Sequence, residues 1–449
     1  MNVAYLYPWD VVGDPTAPGR LADLGVQAVA LAASYHSTRA ATPYHPAHRV
    51  LDVPYPAFYL PIRPSAWSRL VPAAPTWTPA NAYLQARDAL KAAGLQVHAW
   101  TVLTHNSHLG SANPDLVVRN AFGDPYPYAL CPAHEDVIEY CERLVQEILE
   151  VGEPDGLILE ACGPMGFGHQ SVHEKTAGAD WTPTDVDLLS LCFCANCALR
   201  YPEGTKAAVR AVIDRASAPA ASLGLSIHEH AAPAAQTTAA APLNAPSSPS
   251  ATAGAPASSN AGAPEPTTAS SAPASKSAPH SHSSASTSNT RTPRAPSTIE
   301  EALGPLADEV RRVRTDLSIA LRQRLIATAE RTAPDVPITL HANPDPWATG
   351  AFAPLPAGDA GADVLVANCW GDPTTDAARL ARLKELSAPA QRVGAYVLAL
   401  PPRPADAEVL AGQLRTYAKA GASEFHLYHA GLASPDRLSA LATALRLLP

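Results

Sequence analysis

The sequence predicts one (β/α)8 TIM barrel, interrupted after its fourth strand by a long disordered insertion. Three observations carry the prediction. Eight short apolar runs alternate with helical patterns, several helices end in glycine just before the next run, and one segment of Ala, Pro, Ser and Thr breaks the series without ending it.

The expected strands, in order, are Val3–Tyr7, Ala28–Ala33, Val97–Leu103, Gly156–Glu160, Pro337–His341, Asp363–Asn368, Arg392–Leu400 and Glu424–His429. Glycine follows the helical stretches at Leu24-Gly25, Ala93-Gly94 and Ala420-Gly421, where a left-handed residue turns the chain back into a strand. From about Ala216 to Ser297 the composition cannot bury enough apolar surface to offset chain entropy, and disorder is expected there. The α/β alternation resumes beyond it. The expected organisation is therefore a first half-barrel over 1–215, an insertion over 216–297, and the second half of the same barrel over 298–449. Loop-closure cost grows only logarithmically with length, so such an insertion is tolerable. A doubly wound open sheet is disfavoured because Tyr7-Pro8-Trp9-Asp10 after the first strand is no glycine-rich phosphate loop. The long 34–96 connection, rich in Tyr and Trp, is expected to fold over the barrel mouth.

Composition narrows the class. The chain has 449 residues, 47% of them hydrophobic, which is ample for a large core. A net charge of −9 argues against a nucleic-acid partner. No stretch reaches the roughly 18 apolar residues of a membrane span. The N-terminal residues carry no targeting pattern, and a cytoplasmic location is expected. Oligomeric state is not legible.

In a barrel the carboxyl ends of the strands build the site. Here they offer Tyr7, Trp9 and Asp10, then Tyr35, His36 and Arg39, then His105 and Asn106, then Glu160. The second half offers His341, Asn343 and Asp345, then Asn368, Trp370 and Asp372, then His426, Tyr428 and His429, with Tyr396 from the seventh strand. Aromatic faces beside amides, imidazoles and carboxylates suit a small polyhydroxylated molecule or an oligosaccharide.

Glu160 ends a buried strand, where low dielectric would raise its pKa toward that of a general acid. Glycoside hydrolysis needs a second carboxyl group, roughly 5–5.5 Å away for retention or 6.5–9.5 Å for inversion. Asp345 and Asp372 are the first candidates, followed by Glu174 and Asp10, although Asp after a strand is also an ordinary helix cap. The segment from Gly163 to Lys175, with His169, His173 and Glu174, is expected to bend across the strand ends and touch the ligand.

Cys192-Phe-Cys194-Ala-Asn-Cys197 places three of the chain's seven cysteines within six residues. Thiolates at this spacing wrap a soft ion such as zinc, which takes four ligands. Cys131, Cys141, Cys162 and Cys369 are available for the fourth position. Cys141 reads as a core residue of a helix, Cys369 is remote along the chain, and Cys131 lies in a loop exposed enough to coordinate.

A Cys after strand 3, a Glu ending strand 4 and then C-x-C-x-x-C together resemble the zinc-containing β-galactosidases of family 42 and related hypothetical glycosyl hydrolase barrels. The resemblance covers roughly residues 97–205. It implies that Cys131, Cys192, Cys194 and Cys197 hold a structural zinc and that Glu160 is the acid/base. Two positions depart from that pattern: the seventh strand, Tyr396–Leu400, has no Glu nucleophile, and Leu159 stands where the family has Asn. The whole chain also looks like alanine-rich barrel proteins of actinomycetes.

Two function classes follow: a glycoside hydrolase acting through Glu160, and a carbohydrate-binding barrel that has lost the chemistry. A third, a metal-dependent isomerase or hydrolase, would gather His105, His341 and His426 around an ion.

Overall fold

In a computed structural model, described for residues 1–168, 175–216, 296–355 and 361–448, eight parallel strands close into a barrel. They are β1 (Asn2–Leu6), β2 (Ala28–Tyr35), β3 (Gln96–Val102), β4 (Gly156–Glu160), β5 (Ile338–Asn343), β6 (Val364–Cys369), β7 (Arg392–Leu398) and β8 (Glu424–Tyr428). Each pairs with the next, and β8 pairs with β1 to close the ring. The expected fold and all eight strands are present. The pairing of β4 with β5 joins residues on the two sides of 217–295 in one compact unit, Met1–Ala218 with Ala295–Pro449. The expected disorder of 216–297 falls almost wholly outside the described residues.

Local chemistry explains the helices around the barrel. Gly25, Gly94 and Gly421 have φ of +84°, +81° and +108°, so the helix ends are the glycine turns the sequence announces. Asp372, Asp406 and Ser434 cap the N-termini of helices Pro373–Leu386, Ala407–Lys419 and Pro435–Arg446 by accepting backbone N–H groups. The connection from β5 to β6 departs from the repeat. Its described residues form a loop and a two-residue strand, Ala353–Pro354, paired with β5. Pro344, Pro346, Gly350 and Pro354 deny this stretch a continuous helical ladder.

The 34–96 connection contributes a hairpin (Thr38–Ala41 with Val50–Val53) and a short strand, Ala57–Phe58, antiparallel to the end of β2. Residues 63–69 run along the outside of the barrel: Arg63 pairs with Glu147, and Arg69 with Asp136, both on helix Glu135–Gly152. Tyr59, packed on Trp9, and Tyr55, packed on His108, stay near the strand ends. A satellite core of Leu188, Leu191, Phe193, Val209, Ile299 and Trp347 lies beside the main one. No helix among the described residues is long and apolar enough to cross a membrane.

The barrel interior is unusually polar. Inward positions of such barrels are commonly Val, Ile or Leu, whereas this one holds His98, His341, His426, Tyr5, Tyr396, Trp100 and Glu424, all buried. Two glycines make room for two of the rings. A Cβ at Gly156 would lie 2.7 Å from the His98 imidazole, and one at Gly394 would lie 2.9 Å from that of His426.

Candidate functional site

Glu160 is the last residue of β4 and 5% exposed. The Trp100 indole donates to its Oε2 across 2.6 Å. His341 Nδ1 lies 3.2 Å from the same oxygen, at ion-pair distance but outside hydrogen-bond alignment. Burial pushes the Glu160 carboxyl up, but His341, Trp100 and His36 outweigh it and hold the group below the usual glutamate value. The raised value expected from the buried strand is thereby corrected: the polar partners, invisible in a linear pattern, reverse the sign.

Below Glu160 the polar contacts continue through the barrel. The Tyr5 hydroxyl lies 3.0 Å from His341 Nε2 and 3.0 Å from His426 Nδ1. His426 Nε2 stands 3.4 Å from Glu424 Oε2, again at ion-pair distance but outside hydrogen-bond alignment, and Arg392 Nη1 lies 2.5 Å from Glu424 Oε1 at the opposite rim. Burial first, then the charges of Glu160 and Glu424, push the Tyr5 phenol well up, so it keeps its proton. His341 and His426, 0% and 1% exposed, therefore lie beneath the mouth and meet Tyr5 rather than open space.

Above Glu160 the mouth is aromatic. Tyr7 stacks on Trp9 at 4.4 Å, and Tyr35 meets Trp100 edge-on at 4.6 Å. Trp370 lies flat on Tyr428 at 5.2 Å and 9°, and Tyr428 in turn stacks on His429 at 3.4 Å. Trp370 is 37% exposed at the end of this stack. The Tyr35 and Tyr428 hydroxyls lie 3.0 Å apart, and Tyr7 reaches His429 Nδ1 at 3.1 Å. The backbone is left-handed at Ala161 (φ +55°) and His429 (φ +61°), each just past a strand end. Non-glycine residues in this region cost about 1 kcal/mol or more and collect at functional sites.

The remaining sequence candidates are placed as follows. His36 stacks on Tyr35 and faces the buried His105, their rings 4.3 Å apart. Asn106 caps helix Ser107–Ala112 through Leu109 N–H. Arg39 is exposed on the outer hairpin. Asn343 accepts from Asp345 N–H, and Asp345 Oδ1 accepts from Trp347 N–H at an exposed position. The Asp372 carboxylate is exposed and bound to Thr374 and Thr375 N–H as a helix cap. Asn368 is half-buried, and its Oδ1 has no hydrogen-bond partner among the described residues. His169, His173 and Glu174 lie outside the described residues.

Asp10, half-buried after β1, differs from the other carboxylates. Its Oδ2 accepts from Tyr7 N–H at 2.9 Å, and a Cβ on Gly431 would lie 2.2 Å from that oxygen. Burial pushes it up to about 7 against Tyr7 N–H and Arg20. A cleft of about 660 Å³ lined by Val11, Asp14, Gln85 and Ala92 includes none of the candidate residues.

The residues the sequence reading passed over are Tyr5, His98, Trp100 and Glu424. Period-two alternation carries their signal: His98 and Trp100 share one face of β3, and Glu424, His426 and Tyr428 share one face of β8. An ionisable residue on the inward face of a barrel strand is the mark that was available.

A second site lies beside the barrel. Cys131, Cys192, Cys194 and Cys197 are all buried, with ligand atoms within 4.8 Å of one another. Cys131 Sγ is 3.5 Å from Cys197 and 3.7 Å from both Cys192 and Cys194. Sulfurs 2.3 Å from a tetrahedral ion lie about 3.8 Å apart, and disulfide-bonded sulfurs about 2.05 Å. The four thiols thus have the spacing of a metal cage, and Cys131 serves as the fourth member from a buried position, not an exposed loop.

No protein-family model matches the chain, and no curated protein matches it by sequence. Among solved structures it is similar to the glycoside hydrolase domain of PgaB (BpsB) from Bordetella bronchiseptica. The identity is 14% and the TM-score 0.50, covering 98% of this chain and 97% of that one. β-Galactosidases from the psychrophilic Marinomonas ef1 and the Antarctic haloarchaeon Halorubrum lacusprofundi align at 12% and 11% identity, with TM-scores of 0.47 and 0.48. The alignments cover 100% and 99% of this chain but only 59% and 58% of theirs. At 14% identity the likeness to the PgaB domain shows the fold alone, a TIM barrel.

Proposed function

We propose that this barrel is a glycoside hydrolase that cleaves a glycosidic bond in a small glycoside or oligosaccharide. Glu160 is the ionised carboxylate and Asp10 its protonated partner. The observation that carries the reading is the opposed environment of these two groups at one barrel mouth. Glu160 is held below the usual value by His341 and Trp100, while Asp10 is pushed up to about 7 by burial. Titratable groups driven apart by their surroundings are the pattern of an acid and a base or nucleophile. Asp10 takes this place from Asp345 and Asp372, which are exposed helix or turn caps, because Asp10, although it too accepts a local backbone N–H, is half-buried and pushed up by that burial. Trp370, partly exposed at the end of the aromatic stack, is the group proposed to receive a sugar ring.

In this reading Asp10 protonates the departing glycosidic oxygen, and Glu160 either attacks the anomeric carbon or activates water at it. Trp100 and His341 keep charge on Glu160 Oε2 and leave Oε1 for the reacting centre. The Cys131, Cys192, Cys194 and Cys197 cage would hold zinc in a structural role, because four thiolates leave no position for water. It would join the hairpin of Val117–Arg119 and Pro125–Leu130 to the loop carrying Phe193. The seven unpaired thiols fit a reducing, cytoplasmic setting.

The test is hydrolysis of a panel of aryl α- and β-glycosides by the native protein beside Glu160→Gln and Asp10→Asn. Turnover lost in both variants supports the reading. Turnover by native protein and Glu160→Gln alike would remove Glu160 from the chemistry. The lack of a carboxylate at the end of β7 favours a second reading, a carbohydrate-binding barrel, and sugar binding without turnover would select it.

A further inference from the structure

Glu160 and Glu424 stand at opposite ends of the barrel, and with one proton on each imidazole the polar chain between them has one proton too few to serve both. Trp100 can only donate, so Glu160 Oε2 is an acceptor. If His341 serves the same oxygen with an Nδ1–H, its Nε2 is a lone pair that needs the Tyr5 hydroxyl proton. Tyr5 must then accept from His426 Nδ1–H, which leaves a bare His426 Nε2 facing Glu424 Oε2. Run the other way, His426 Nε2–H serves Glu424, and every link reverses. His341 Nδ1 then turns a lone pair on Glu160. Burial pushes the His426 imidazole down, which works against a second proton on that ring.

We infer that Glu424, His426 and Tyr5 are positioning residues that act through His341: which carboxylate the chain serves decides how strongly Glu160 holds its charge. Arg392, on the other oxygen of Glu424, lessens the demand from the far end and tilts the chain toward Glu160. The inference gives Glu160 its proposed role and rests on that reading only where turnover is measured. The other charged or titratable groups facing Glu160 are His36 and the phenols of Tyr7, Tyr35, Tyr396 and Tyr428. Those facing Glu424 are Arg392, His98 and the amino group of Met1.

The experiment is a carbon-13 titration of the Glu160 side-chain carboxyl in the full chain, with turnover followed in parallel. Glu424→Gln, which withdraws the competing carboxylate, is expected to lower the Glu160 midpoint by about half a unit or more. Arg392→Met, which sharpens the competition, is expected to raise it. In a Tyr5→Phe background both shifts should shrink to less than about half, because only the through-space part survives. Equal shifts with and without Tyr5, or none in either variant, would overturn the chain. Arg392 lies on the rim, so its variant decides the matter even if Glu424→Gln does not fold. Coupled shifts without glycoside turnover in any form would uphold the chain and remove the hydrolase; turnover lost in Glu160→Gln without coupled shifts would do the reverse.

Discussion

Trp100 and Glu160 sit on adjacent strands, and the indole N–H of one meets the carboxylate of the other across 2.6 Å, both side chains buried. A hydrogen bond to a charged group contributes about 1.5–3 kcal/mol. Trp100→Phe keeps most of the ring and removes the donor. A group whose folded pKa is depressed contributes stability above its unfolded value and loses it as pH falls through the folded one. Native protein should therefore lose melting temperature on acidification below the ordinary glutamate range, and Trp100→Phe should show a shallower loss over that window. Identical melting profiles between pH 6 and pH 3 would mean the contact carries no charge stabilisation.

Asp10 runs opposite in sign. Its folded value of about 7 lies above the ordinary 3.8, so the fold favours the protonated form, and stability falls as pH rises between the two. Asp10→Asn removes that liability. The variant should melt higher than native protein at pH 8, equal it near pH 3, and lose turnover at every pH. A variant that melts lower at pH 8 would make Asp10 a structural acceptor for Tyr7 N–H and nothing more.

How far the sequence could be read depended on whether a signal was local. The eight strands and their glycine turns were legible because alternation, apolar runs and left-handed caps are properties of neighbouring residues. The Cys192–Cys197 turn was legible for the same reason. What escaped notice depends on closure. Tyr5 touches His341 and His426, more than 300 residues away, only because β1 closes the ring against β8. The sign of the Glu160 shift escaped because Trp100 and His341 come from the strands on either side of it. Asp372 and Asp345 could be read from their neighbours as caps or as catalysts, and the backbone N–H groups they accept were resolved only by the fold.

Gly394 leaves space that the His426 ring fills, and a methyl group there would stand 2.9 Å from it. Gly394→Ala should destabilise by about 1–3 kcal/mol, as overpacked cores do. Gly19→Ala, with nothing within 4 Å of the added atom, should be neutral or slightly stabilising. Denaturant midpoints for the two variants make the comparison. Similar midpoints would mean the polar interior relaxes freely and is no rigid template for Glu160.

The cysteine cage makes the most direct prediction. Metal that binds only the folded chain adds its binding free energy to stability, so removal should be felt throughout the unit that the loop and hairpin share. Purified protein should carry about one zinc per chain by elemental analysis. Prolonged chelation should lower the melting temperature by at least about 5 °C, and added zinc should restore it. Cys194→Ser should reproduce the loss without rescue, while Cys141→Ser, at a buried thiol outside the cage, should keep its zinc even where its packing suffers. A full zinc complement in Cys194→Ser would place the metal elsewhere. A chain free of metal in both forms would reduce the four thiols to packing, and the Phe193 loop would then rest on the satellite core alone.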